Sequence, residues 1–216
     1  MRFSEAKRKA AAVVGVLRST YPEAACALHF SDPFELLVAT ILSAQCTDVR
    51  VNMVTPALFR RYPDPAALSG ADPAELGDLI RSTGFFRNKS KNLLGCAAAL
   101  VERHGGAVPA TMAELVALPG VGRKTANVVL GNAFATPGMV VDTHVKRVAG
   151  RLGWTASSDP VKIEADLQRL LPKEEWTEVS HLLIHHGRAL CKAPTPWCSS
   201  CPLLELCPRR GVNRSR

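Results

Sequence analysis

Apolar positions recur at helical spacing along almost the whole chain, and strand-like alternation is scarce. Phe34, Leu37, Val38, Ile41 and Leu42 form one stripe behind Asp32-Pro33, a capping residue followed by proline at the first helical position. Thr47 or Asp48 can cap the next helix, which the pattern carries to Arg61-Tyr62 before the turn Pro63-Asp64-Pro65. Asp72-Pro73 opens another helix, and Gly84 interrupts it. A further helix is predicted from Lys89 to His104, closed by Gly105-Gly106. Thr111-Met112-Ala113-Glu114 reads as a capping box on a helix that stops at Leu118-Pro119-Gly120. After Gly122 the stripe Ala126, Val129, Leu130, Ala133 and Phe134 predicts one more. Asp142 is placed to cap a helix from Thr143 to Leu152, and Asp159-Pro160 starts another that Pro172 ends. Glu174 to Leu190 forms the last long helix, so the expected fold class is all-α.

Arg2, Lys7, Arg8 and Lys9 precede the apolar stretch Ala10 to Leu17, which superficially resembles a signal peptide. Arg18 closes that stretch early and no clear A-x-A cleavage site follows, so it reads as a helix with a basic exposed face. No apolar run approaches the ~18 residues of a membrane span.

Composition narrows the partners. The 216 residues allow one large domain or two small ones, and a net charge of +8 favours a polyanionic partner. Seven cysteines fall into two groups: Cys26, Cys46 and Cys96 are isolated, while Cys191, Cys198, Cys201 and Cys207 crowd together near the end. An odd total with one terminal cluster argues for a metal site in a reducing compartment rather than a disulfide framework. The four are separated by six, two and five residues, close enough to close on one metal or one cluster. Zinc sites more often pair two C-x₂₋₄-C knuckles, and only one such knuckle occurs here. His181 and His185 lie at i, i+4, but no Glu completes an H-E-x-x-H pattern. With His186 they read as packing or hydrogen-bonding residues.

Leu118-Pro119-Gly120-Val121-Gly122-Arg123-Lys124-Thr125-Ala126 joins two short amphipathic helices through a glycine-rich turn. Glycine suits a tight turn and lets a phosphate oxygen approach backbone amides, which the dipole of the second helix then helps to hold. Such contacts position a protein on the sugar–phosphate backbone without reading sequence. The segment resembles a helix-hairpin-helix motif. Asp142 follows Lys124 by eighteen positions, beside the apolar run Met139 to Val141, with Ala135-Thr136-Pro137-Gly138 between them. A carboxylate there needs a partner or a task. Capping the helix that follows is one such task.

These features together are similar to the superfamily of DNA glycosylases built on a helix-hairpin-helix, a Gly-Pro-rich loop and an Asp. The cysteine spacing resembles the endonuclease III family within it. The resemblance runs from about Arg18 to Cys207 and implies two helical lobes. One is a six-helix barrel, near residues 24 to 134, carrying the hairpin. The other joins residues 1 to 23 with 135 to 211 around a 4Fe–4S cluster held by Cys191, Cys198, Cys201 and Cys207, leaving 212 to 216 as a basic tail. Lys124 is then the nucleophile and Asp142 its acidic partner, acting on double-stranded DNA that holds oxidised pyrimidines or abasic sites.

Gly120, Val121, Gly122, Arg123 and Thr125 would contact that DNA, while Gln45 and Phe85 would fill the space of an extruded base. Phe85 replaces the aliphatic wedge usual in bacterial members, and Cys46 follows Gln45 where Ala is usual. A monomeric enzyme of the bacterial cytoplasm, acting at the nucleoid, is expected. An adenine-mispair glycosylase shares the hairpin and cluster, but that family lacks the Lys and carries an extra C-terminal domain that this chain is too short to hold. A non-catalytic DNA-binding module is the alternative from another class.

Overall fold

The computed structural model describes residues 3–216; Arg2, one of the cations expected on the opening helix, lies outside the described residues. Among those residues there are eleven α-helices, two 3-10 turns and no strand. The helices are α1 (Phe3–Thr20), α2 (Pro33–Leu42), α3 (Asp48–Arg61), α4 (Pro65–Ser69), α5 (Pro73–Ile80), α6 (Phe86–His104), α7 (Met112–Val116), α8 (Arg123–Ala133), α9 (Thr143–Arg151), α10 (Pro160–Leu170) and α11 (Trp176–Ala189). The 3-10 turns are Arg81–Thr83 and Lys173–Glu175.

Most helix starts follow from local chemistry. Asp32 accepts from the Glu35 amide at 2.9 Å, Asp72 from the Ala74 and Glu75 amides, and Asp159 from the Val161 amide at 2.8 Å, each with proline at the next position. Of the two candidates before α3, Thr47 is the cap. Thr111 accepts from the Glu114 amide, but the Glu114 carboxylate takes the Thr111 hydroxyl, where a full capping box would have it reach back to the Thr111 N–H.

Three elements differ from the pattern. The turn Pro63-Asp64-Pro65 starts a short helix, α4, because Asp64 accepts from the Ala67 amide at 2.7 Å; five residues are too few to display a period. α6 begins at Phe86 rather than Lys89, after a cap position where Phe85 makes no side-chain hydrogen bond that could mark the start. α11 begins at Trp176, with the Lys173–Glu175 turn ahead of it.

The chain divides into two compact units, residues 26–136 and residues 1–25 with 137–216. In the first, α2 is buried from Leu36 through Leu42 as well as at Phe34, well beyond the predicted stripe. A helix apolar on all sides sits inside a core, and α3, α6 and α8 pack around it. α4 and α5 lie on α6, and α7 lies on α8.

In the second unit α1 packs on α10 and α11, and α9 packs on α11. Val13, Val14 and Leu17 of α1 share a core with Val145, Val148, Leu167, Leu182 and Leu183. Arg18 grips both carboxylate oxygens of Glu178 at 2.7 Å. That pair is partly exposed, so it contributes only about 0–1 kcal/mol and mainly fixes alignment. Lys7, Arg8 and Lys9 lie on the exposed face of α1. The last residues keep exposed side chains while their backbone is tied: Arg216 donates to the Pro196 carbonyl and accepts from the Ser199 amide, both at 2.9 Å. Among the described residues no helix is long and apolar enough to cross a membrane.

Candidate active site

The hairpin between α7 and α8 is built on close contact with α6. Gly120 has φ +76°, and a Cβ there would lie 2.7 Å from the Asn92 Cβ. Gly95 of α6 makes the reciprocal room, because a Cβ on it would meet the Pro119 ring at 3.3 Å. Val121 closes the turn by donating to the Leu118 carbonyl, and its side chain is 6% exposed, part of the core. Gly122, Arg123 and Lys124 are exposed, and Thr125 is half-buried.

Gly122 is the cap residue of α8, and glycine has no side chain with which to cap the leading amides of that helix. Its first turn carries no acid; it carries Arg123 and Lys124. Two cations at the positive end of a helix dipole are unfavourable, by roughly 0.3–1 kcal/mol each. That end is arranged for an anion to complete it.

Gln45 and Phe85 stand at exposed loop tips in the same unit. Gln45 (φ +53°) lies between α2 and α3, and Phe85 (φ +50°) between the 3-10 turn and α6. Phe85 is 61% exposed. Left-handed backbone at non-glycine residues costs about 1–3 kcal/mol and persists only where surroundings enforce it. A residue with no sign of a role in the sequence motifs lies beneath the segments that lead to these tips. Lys89 is 4% exposed, and its ammonium donates to the Leu42 and Thr83 carbonyls, both at 2.8 Å. Burial lowers its proton affinity. A signal was present: Lys89 shares the buried face of α6 with Leu93, Cys96 and Ala97, a charge on an apolar stripe.

In the other unit Asp142 is half-buried and caps α9, accepting from the Val145 amide at 2.7 Å. The capping task read from the sequence is therefore occupied, by one oxygen of the carboxylate. Burial lowers the proton affinity of neighbouring His144, against which Asp142 acts in the opposite sense. His144 also meets an Arg147 guanidinium nitrogen at 3.0 Å. Arg147 continues to the Gly187 and Cys191 carbonyls, tying the helix that Asp142 starts to the beginning of the cysteine loop. Gly187 is needed there, since a Cβ on it would lie 3.0 Å from that of His144.

Cys191, Cys198, Cys201 and Cys207 are free and half-buried, and all four line one pocket with Leu190, Trp197 and Leu203. Burial raises the Cys201 and Cys207 thiols, and the other sulfurs push them the same way as neighbouring negative charges. Donors surround the sulfurs. An Arg151 guanidinium nitrogen lies 3.3 Å from the Cys191 Sγ, the Arg209 amide 3.4 Å from the Cys207 Sγ, and the His186 Nε2 3.6 Å from the Cys201 Sγ. His186 also contacts the Tyr21 hydroxyl at 3.1 Å, and burial takes its pKa down to about 4, so it is a neutral, packed residue as expected. Among the described residues no three His, Cys, Asp or Glu side chains are arranged to hold a single ion.

A hairpin, a lysine on the following helix start and a capping aspartate beyond it define a class. The family of HhH-GPD superfamily base excision DNA repair proteins matches residues 38–173, and the chain belongs to it. Endonuclease III of Synechocystis sp. is 53% identical over 208 residues, covering 96% of this chain and 95% of that protein. A non-covalent endonuclease III–DNA complex has the same fold with a TM-score of 0.90 at 45% identity, covering 94% of this chain and 95% of that one. A trapped endonuclease III–DNA covalent intermediate gives the same score and identity, over 94% and 96%. Within the superfamily the chain is thus a member of the endonuclease III family.

The two hairpin glycines separate by substitution. Gly120→Ala should lower unfolding stability by about 1–3 kcal/mol in urea, since it meets both Asn92 and a left-handed backbone. Gly122→Ala, with nothing within 4 Å of its Cβ, should leave the urea midpoint nearly unchanged.

Proposed function

We propose that the chain excises oxidised pyrimidines from duplex DNA and then cleaves the strand at the abasic sugar, with Lys124 as nucleophile. One observation carries this reading: an exposed amine stands on the first turn of a helix built to receive an anion, in a chain whose fold matches a trapped endonuclease III–DNA covalent intermediate. Backbone phosphate would seat at the uncapped start of α8, with Gly120, Gly122, Arg123 and Thr125 around it and Val121 holding the turn from below.

The chemistry follows from an amine at that place. The Lys124 nitrogen donates its electron pair to C1′ of the damaged nucleotide, and the C1′–base bond breaks with its electrons leaving on the base. Loss of a proton from nitrogen and opening of the sugar give an imine. Removal of a C2′ proton then expels the 3′ phosphate, which cuts the strand. Asp142 supplies a negative charge for the cationic sugar and a base for the Lys124 proton. Its cap bond to Val145 holds the carboxylate in one orientation while leaving its second oxygen for that task. Gln45 and Phe85, exposed at their loop tips, would occupy the gap left by the extruded base.

The cysteine loop fits a 4Fe–4S cluster. Four thiols lining one pocket, with N–H donors at two of the sulfurs and a histidine nitrogen beside a third, suit a group that four thiolates would hold. Cys191, Cys198, Cys201 and Cys207 would hold such a group, and its bonds to them would fix the fold of the loop they span. The flanking Arg188, Lys192, Arg209 and Arg210 then form a basic surface suited to phosphate.

Borohydride added during reaction with a thymine-glycol or abasic duplex should trap a covalent protein–DNA adduct. Lys124→Gln should abolish adduct and nicking while sparing most DNA affinity. Wild-type base release with no trapped species would instead assign the chemistry to activated water. Asp142→Asn should fold, because Asn caps about as well as Asp, yet turn over at least ~100-fold more slowly in single-turnover assays. Gly122→Ala should weaken binding to lesion and undamaged duplexes alike, with an affinity that falls steeply as salt rises. The purified protein should contain iron and acid-labile sulfide near ~4 each per chain. Cys201→Ser should lose much of both, and stoichiometric zinc would refute the cluster.

A further inference from the structure

Lys89 is costly to bury, and its ammonium meets two backbone carbonyls, so its position calls for a reason beyond packing. A methionine of similar length would fill the same space without desolvating a charge. What an ammonium adds is donors, three of them on a flexible stem. Their acceptors are particular. Leu42 is the last residue of α2 and Thr83 the last of the 3-10 turn, and a terminal carbonyl has no partner within its own helix. One cation thus caps two C-terminal ends, at the negative end of the α2 dipole.

The exposed tips lie a few residues further along both segments. Gln45 follows Leu42 by three positions, and Phe85 follows Thr83 by two. Lys89 also reaches Phe85 through the backbone, its N–H donating to the Phe85 carbonyl at 3.0 Å. Both tips hold left-handed backbone, the kind of strain that survives only when the surroundings fix it.

We propose that Lys89 is a positioning residue for base extrusion: its ammonium joins the Leu42 and Thr83 carbonyls so that Gln45 and Phe85 are held together, ready to occupy the gap. The proposal rests on the reading of Gln45 and Phe85 as the residues that fill that gap. It touches neither substrate nor the reacting atoms. The energetic logic is preorganisation, since tips already fixed in place lose little freedom when DNA binds.

The test compares two single-turnover rates in the full-length, cofactor-loaded protein: base release from a thymine-glycol duplex, and strand cleavage of a preformed abasic duplex. Extrusion limits the first far more than the second, because a sugar without a base leaves no stack. Lys89→Met should slow base release about tenfold or more, the scale of losing hydrogen bonds from a charged donor, and change abasic cleavage much less. Gln45→Ala and Phe85→Ala should shift the ratio of rates in the same direction. Lys89→Arg, which keeps donors for both carbonyls, should restore part of the ratio.

If the Gln45 and Phe85 variants shift the ratio while Lys89→Met lowers both rates equally, Lys89 is merely structural and the proposal falls alone. If neither Gln45→Ala nor Phe85→Ala shifts it, the gap-filling reading fails and takes the proposal with it. Should Lys89→Met not fold, Lys89→Gln, with an uncharged donor, carries the same comparison, and an equal loss of both rates in it overturns the proposal.

Discussion

The hairpin rests on α6 through two interlocked absences of a side chain. Gly120 lets Asn92 approach its backbone, and Gly95 lets Pro119 settle on the helix. Because those contacts leave no slack, the turn is fixed in height and direction, and α8 leaves it with Lys124 on an exposed first turn. α6 also carries Lys89, whose ammonium reaches the ends of α2 and the 3-10 turn. One helix therefore orders the hairpin and both strained tips of its unit. The central helix α2 supplies the apolar mass on which this arrangement rests.

The starts of α8 and α9 are electrically opposite. α9 opens on Asp142, whose carboxylate satisfies both a backbone amide and the helix dipole. α8 opens on glycine, followed by two cations that the dipole disfavours. A start that is already satisfied holds a rigid group, and a start left unfavourable gains most from a phosphate. The same economy of charge appears in the cysteine loop, where Arg147 and Arg151 spend their donors on the Cys191 carbonyl and sulfur.

The sequence displayed what local chemistry decides. Asp32, Thr47, Asp72, Asp142 and Asp159 cap their helices because a short acceptor next to a turn of free amides needs no distant partner. The glycines of the hairpin and the four closely spaced cysteines were legible for the same reason. Less visible were features set by distant neighbours. α4 is too short to show a period, and α6 begins beside a left-handed Phe85 that leaves no capping signature. Lys89 looked like the first residue of a helix, since its carbonyl partners belong to segments far from it in the chain. The hairpin sequence likewise hid its own inside and outside: Val121 turns inward while Lys124 turns out.

The second unit is assembled from both ends of the chain, with residues 26–136 intervening between α1 and the helices it packs on. That ordering dictates a sequence of events during synthesis. Residues 26–136 can collapse as soon as they leave the ribosome, because their own contacts suffice to close a core. α1 emerges earlier yet has nothing to fold against, and its stripe of Val13, Val14 and Leu17 stays uncovered until α10 and α11 follow. Closing that long loop delays the docking of α1, so the second unit is the last to fold. The helix made first is thus finished late, while its basic outer face, with Lys7, Arg8 and Lys9, has no core to wait for and stays exposed in the finished fold.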